Sequence, residues 1–90
     1  MKESQLQSKI IERLKSHGWY VVKLIQTNVN GIPDLMCIRK GNVIFLEVKR
    51  EGGELAPLQE HRIKQLKDLG VFARMVDSVD DVNVFCHKDL

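Results

Sequence analysis

Two short β-forming runs, residues 34–39 and 43–49, are separated by nothing longer than a tight turn, and this spacing constrains the fold more than any other feature of the chain. Strands joined so closely can only pair antiparallel, as a hairpin. Gly41-Asn42 suits a two-residue hairpin loop, whose backbone needs residues tolerant of positive φ. A lone hairpin is marginal in water and needs more strands or a covering helix. The flanking sequence offers both.

Upstream, Leu6, Ile10, Ile11 and Leu14 recur at helical spacing over residues 3–16, and Gly18 ends the pattern. Residues 19–25, Trp-Tyr-Val-Val-Lys-Leu-Ile, read as a strand, and 26–33 as a polar loop rich in turn formers. Downstream, 51–56 is a Gly-Gly loop, Pro57 opens a second helix over 57–69, and Gly70 closes it. Residues 71–76 read as a fourth strand, and 78–86 as a short helix begun by Ser78. The order α-β-β-β-α-β predicts an α/β fold, a mixed sheet flanked by helices.

At 90 residues the whole chain, 1–90, is expected to be one domain with a thin core. With 43% apolar and 29% charged residues it has a globular composition, without repeats or low-complexity segments. No stretch approaches the roughly 20 apolar residues of a membrane span, and the N-terminus has no signal-peptide core. Cys37 and Cys86 make no disulfide framework. The expectation is a cytoplasmic protein with no membrane partner and no organic cofactor. Residues 1–76 carry a net charge of +5 and the last 14 residues −3, so a mildly basic body permits a phosphate-backbone partner.

Alternation along 43–50 puts Ile44, Leu46 and Val48 on one face, and Val43, Phe45, Glu47 and Lys49 on the other. Glu47 and Lys49 therefore point the same way, about 6.6 Å apart by strand rise. With a Gly41-Asn42 loop, Lys40 pairs with Val43, Met36 lies opposite Glu47, and Asp34 lies opposite Lys49. Opposed residues share a face, with Cβ atoms about 5 Å apart, so Asp34, Glu47 and Lys49 gather round one point. A three-residue loop would send Asp34 to the other face. In the first helix, Glu3, Leu6, Gln7, Ile10 and Leu14 form one stripe, so Glu3 is the helical carboxylate best placed to join. In the second, Gln59 shares a stripe with Ile63 and Leu66 and faces the sheet.

Carboxylates gathered on a half-buried face repel one another unless a cation joins them. Oxygen ligands of this kind suit Mg²⁺ or Mn²⁺, and no Cys/His cluster argues for zinc. Such an ion polarises a phosphoryl oxygen and lowers the pKa of a bound water, while Lys49 positions that water and offsets developing charge. The reaction class that uses these parts is phosphodiester hydrolysis.

Pro33-Asp34, then twelve residues, then Glu47-Val48-Lys49, resembles the signature of the PD-(D/E)XK nucleases. Glu3-Ser4-Gln5-Leu6-Gln7, Gly31-Ile32-Pro33-Asp34-Leu35, Leu46-Glu47-Val48-Lys49 and Leu58-Gln59 resemble its VRR-NUC branch, the virus-type replication-repair nucleases. The resemblance implies a restriction-endonuclease-like αβββαβ core. It implies metal binding by Asp34, Glu47, the Val48 carbonyl and Glu3, with Lys49 as catalytic lysine and Gln59 as a supporting glutamine. It further implies DNA as substrate, with the stand-alone members acting as homodimers on branched DNA such as Holliday junctions. Alternatives that stay open are flaps, ends or RNA as substrate, and a non-catalytic binding module. Lys23 and Arg50 are candidates for phosphate contacts. Cys37, Cys86 and His87 are read as two buried thiols and a surface imidazole, not as zinc ligands. One of Trp19 and Tyr20 is expected in the core and the other at a dimer contact.

Overall fold

The computed structural model describes residues 1–87 and contains helix α1 (Glu3–Ser16), strands β1 (Tyr20–Lys23), β2 (Leu35–Arg39) and β3 (Asn42–Val48), helix α2 (Pro57–Asp68), strand β4 (Phe72–Val76), and a closing 3₁₀ helix (Asp80–Phe85). The sheet order is β1-β2-β3-β4; the first two pairings are antiparallel and β3-β4 is parallel. A parallel neighbour needs a long crossover, and α2 provides it. The mixed sheet with flanking helices is the predicted α/β architecture.

Leu6, Ile10 and Leu14 of α1 bury against Leu35, Cys37, Ile44, Leu46, Val48 and Val76, and the closing 3₁₀ helix adds Val82 and Phe85. These sheet residues share one face, as alternation requires. Helix α2 lies against β4, where Ile63 and Ala73 are buried. No helix among the described residues is long and apolar enough to cross a membrane.

Both helices lack a Ser, Thr, Asp or Asn at the N-cap, and both compensate in the same way. Gln5 Oε1 accepts the Lys2 amide at 2.9 Å, and Gln59 Oε1 accepts the Ala56 amide at 2.9 Å. Each glutamine satisfies one of the donors that a helix start leaves unpaired.

Strand β1 is shorter than residues 19–25. Leu24 still donates to the Asp34 carbonyl at 2.8 Å, but Ile25 donates back to Lys23 at 3.1 Å, and this turn takes the chain off the sheet. Trp19 precedes the strand and is core: its indole Nε1 donates to the Phe85 carbonyl at 2.7 Å. Tyr20, on the sheet edge, is exposed. The closing helix is 3₁₀ rather than α. Ser78 does mark its start: the Asp81 amide donates to Ser78 Oγ at 3.2 Å, and Asp81 Oδ2 accepts the Asp77 amide at 2.8 Å. Arg39 ties this segment to β2, donating to the His87 carbonyl at 2.7 Å. Burial pushes the Cys37 thiol up to about 12, as expected of a structural cysteine.

The hairpin turn differs from the expected one. Arg39 pairs with Asn42, so the loop is Lys40-Gly41, with φ of 49° and 80°. Positive φ at both positions is the type I′ pattern whose twist matches paired strands. The register shifts by two residues, and Asp34 falls opposite Glu47 rather than opposite Lys49. Alternation does not detect such a shift, because the side-chain period is also two, so every residue keeps its face.

Candidate active site

Asp34 stands at a bend just before β2, following the fully buried Pro33. Its side chain turns to the neighbouring strand, and the Val48 amide donates to Asp34 Oδ2 at 3.0 Å. The carboxylate thus supplies the acceptor that a longer β2 would have offered from its backbone. In a strand the N–H and C=O of one residue face the same neighbour, so the Val48 carbonyl opens on the Asp34 side as well. The next residue faces the other way: the Lys49 amide donates to Val76 on β4 at 3.0 Å.

Among the described residues Glu47 is the one buried charged side chain, 3% exposed. Its carboxyl group is pushed up to about 8, first by desolvation, then by a hydrogen bond with the Asp34 side chain and by the Asp34 charge. Lys49 pulls in the opposite direction, its Nζ 4.0 Å from Glu47 Oε2. Without a cation beside it, the buried Glu47 carboxyl therefore resists ionisation near neutral pH. A buried carboxyl that resists ionisation beside a second carboxyl is where a cation finds two oxygens already converged.

The oxygen-only donor set fits a hard divalent ion. Asp34 and Glu47 supply carboxylates, and Val48 supplies a carbonyl on the same side. Among the described residues no three Asp, Glu, His or Cys side chains form a metal-binding group. Glu3 is exposed on the first turn of α1, and its charge is the smallest of the influences on Glu47. Asp34 and Glu47 are thus a pair, not part of a carboxylate triad. Such an ion would complete its shell with water and substrate oxygens, as Mg²⁺ commonly does.

The loop that delivers Asp34 is held by α2. Arg62 Nε donates to the Asn30 carbonyl at 2.7 Å. Gly31, at φ 79°, lies so close to Leu58 that a Cβ there would come within 2.7 Å of Leu58 Cγ. Neither Arg62 nor the contact between Gly31 and Leu58 is legible from sequence spacing. The glycine before Pro-Asp is the only local signal, and it says nothing of the partner helix. After Lys49 the chain folds over in a turn closed by the Gly53 amide donating to Arg50 at 2.8 Å, with Gly52 at φ 77°. A Cβ on Gly53 would lie 3.3 Å from Lys49 Cβ, so this turn packs directly on the lysine.

Gln59 is half-buried, and its resolved hydrogen bond goes to its own helix start, not to Asp34, Glu47 or Lys49. Lys23 lies at the end of β1 and lines a cleft with Asp34. Arg50 is exposed beside Lys49.

The sheet and the carboxylate pair with its adjacent lysine define an α/β domain of the nuclease type. The VRR-NUC domain model matches residues 1–80, and the chain belongs to the VRR-NUC family. A solved structure of a VRR_NUC domain is similar over 94% of this chain and 97% of that one, with a TM-score of 0.82 and 28% sequence identity. No curated protein matches the sequence.

Proposed function

We propose that the protein is a divalent-metal-dependent endonuclease that hydrolyses DNA phosphodiester bonds, acting on branched DNA such as Holliday junctions during replication, recombination or repair. The observation that carries this reading is the buried Glu47 carboxyl with the Lys49 amine 4.0 Å away, beside an Asp34 carboxylate that the Val48 amide of the same strand holds at 3.0 Å. Asp34, Glu47 and the Val48 carbonyl would hold Mg²⁺ or Mn²⁺. The bound ion would polarise a phosphoryl oxygen and acidify a water.

The side chains themselves do the rest. Lys49 orients the attacking water by hydrogen bonding and offsets the negative charge that grows on the phosphoryl oxygens as the P–O bond breaks. Glu47 holds Lys49 close, and the Val48 amide holds Asp34 in one rotamer. Glu3 acts from a distance, through water. Gln59 stabilises the start of α2, and through that helix the Asn30–Asp34 loop. A homodimer would supply the two cuts that a symmetric junction needs. Both cysteines are free thiols, which suits a reducing, cytoplasmic setting.

The deciding experiment is a cleavage panel with Mg²⁺ or Mn²⁺ on four-way junctions, flaps, duplexes and single strands. Junction cleavage that is lost on chelation and in Asp34→Ala and Glu47→Ala is expected. Variants that cut as well as the parent would sink the enzymatic reading. Cleavage of flaps with junctions left intact would overturn only the substrate.

A further inference from the structure

A cleft of about 230 Å³ opens beside Asp34, lined by Gln7, Lys23, Leu24, Ile25 and Asp34. The abrupt end of β1 creates it, because the turn at Leu24 takes the chain off the sheet just after the ladder reaches Asp34. Lys23 is left exposed, and Ile25 is 84% exposed. Helix α1 contributes the opposite wall through Gln7. This residue belongs to the stripe of Leu6, Ile10 and Leu14, yet it is polar and half-buried, and its amide has no hydrogen-bond partner among the described residues. An amide that stays open to solvent on the wall of a cleft, with no partner inside the fold, is free to bond a ligand.

We infer that this cleft is a phosphate subsite continuous with the active site, and that Gln7 is a substrate-contacting residue whose side-chain NH₂ donates to a phosphodiester oxygen next to the bond that is cut. The inference rests on the nuclease reading above and extends it to the strand beyond the scissile bond. The cleft has room for a phosphate and part of its sugar, not for a base pair. Gln7 and Lys23 present donors, the first neutral and directional, the second a mobile point charge. Asp34 alone would repel an anion, so those donors make the cleft hospitable to one. Ile25 at the rim offers an apolar surface to the sugar.

The test is fluorescence anisotropy on a labelled four-way junction with divalent ions chelated, so that binding is read without cleavage. Parent, Gln7→Leu, Gln7→Glu and Lys23→Gln are compared across a salt series. Gln7→Leu is expected to bind about tenfold more weakly, the scale of one hydrogen bond to a charged oxygen, with an unchanged salt slope. Lys23→Gln is expected to lower the slope by about one. Gln7→Glu keeps the size of the side chain, adds repulsion, and should bind most weakly. With Mg²⁺ present, Gln7→Leu should raise KM and leave kcat near the parent value. Folded Gln7→Leu and Gln7→Glu proteins that bind like the parent, while the parent binds and cuts, overturn this subsite and leave the nuclease reading standing. A parent that neither binds nor cuts DNA removes both.

Discussion

The Val48 amide donates to Asp34 Oδ2 at 3.0 Å, so one backbone group of β3 positions the carboxylate of the loop before β2. The bond crosses from strand to loop and makes the geometry of the acidic pair depend on the hairpin register. Asp34→Asn retains the size of the side chain and an acceptor for Val48. It is expected to fold like the parent by circular dichroism and to lose cleavage by at least about 100-fold, the scale on which a charge-stabilising group is felt. Asp34→Ala should lose activity and also leave the Val48 amide without its partner, lowering the melting temperature.

Stability without metal should fall as pH rises. The Glu47 carboxyl is raised from 4.5 to about 8 in the fold. Below about 4.5 the group is protonated in both states. Between 4.5 and 8 the unfolded chain gives up the proton while the fold retains it, so stability drains away across that window, by an amount of order a few kcal/mol at most. Thermal melts in chelator from pH 4.5 to 9 should show the decline, and Glu47→Gln should flatten it and melt higher at pH 8. Added Mg²⁺ competes with the proton, so its stabilising effect should grow from pH 6 to pH 8.

Gly31→Ala is expected to cost about 1–3 kcal/mol in chemical denaturation, through its left-handed φ and the 2.7 Å approach to Leu58. Leu58→Ala in the same chain should recover the steric part, giving a coupling of at least about 0.5 kcal/mol. An additive double variant would mean that the contact between Gly31 and Leu58 is not what seats the loop on α2.

Trp19→Phe keeps most of the ring but removes the donor to Phe85. It should destabilise the fold by about 0.5–1.5 kcal/mol, the cost of the lost hydrogen bond, with the Phe85 carbonyl left only the longer 3.5 Å bond from Arg39, measured by denaturant titration. Trp19 is the sole tryptophan, so in the parent its fluorescence reports directly on docking of the closing 3₁₀ helix.

Much of this molecule was legible before folding was considered. Apolar spacing marked α1, and Leu6, Ile10 and Leu14 are its buried residues. Alternation placed Glu47 and Lys49 on one face, and any two-residue loop sends Asp34 to join them. Gln7 was legible as a member of the α1 stripe, but its place on the wall of the cleft beside Asp34 was not, because that cleft forms only where β1 stops.

The sequence by itself determined the element order, the two faces of the sheet, and the trio of Asp34, Glu47 and Lys49, because these follow from periods of 3.6 and 2 that each segment carries alone. Tertiary structure decided which residues stand opposite one another, that Gln59 is bonded to its own helix start, that Arg62 and Leu58 brace the loop before Asp34, and that Glu3 stays outside the acidic pair. Those outcomes depend on the packing of segments far apart in the chain. The deep burial that raises the Glu47 carboxyl exists only once the sheet and its covering layers have closed around it.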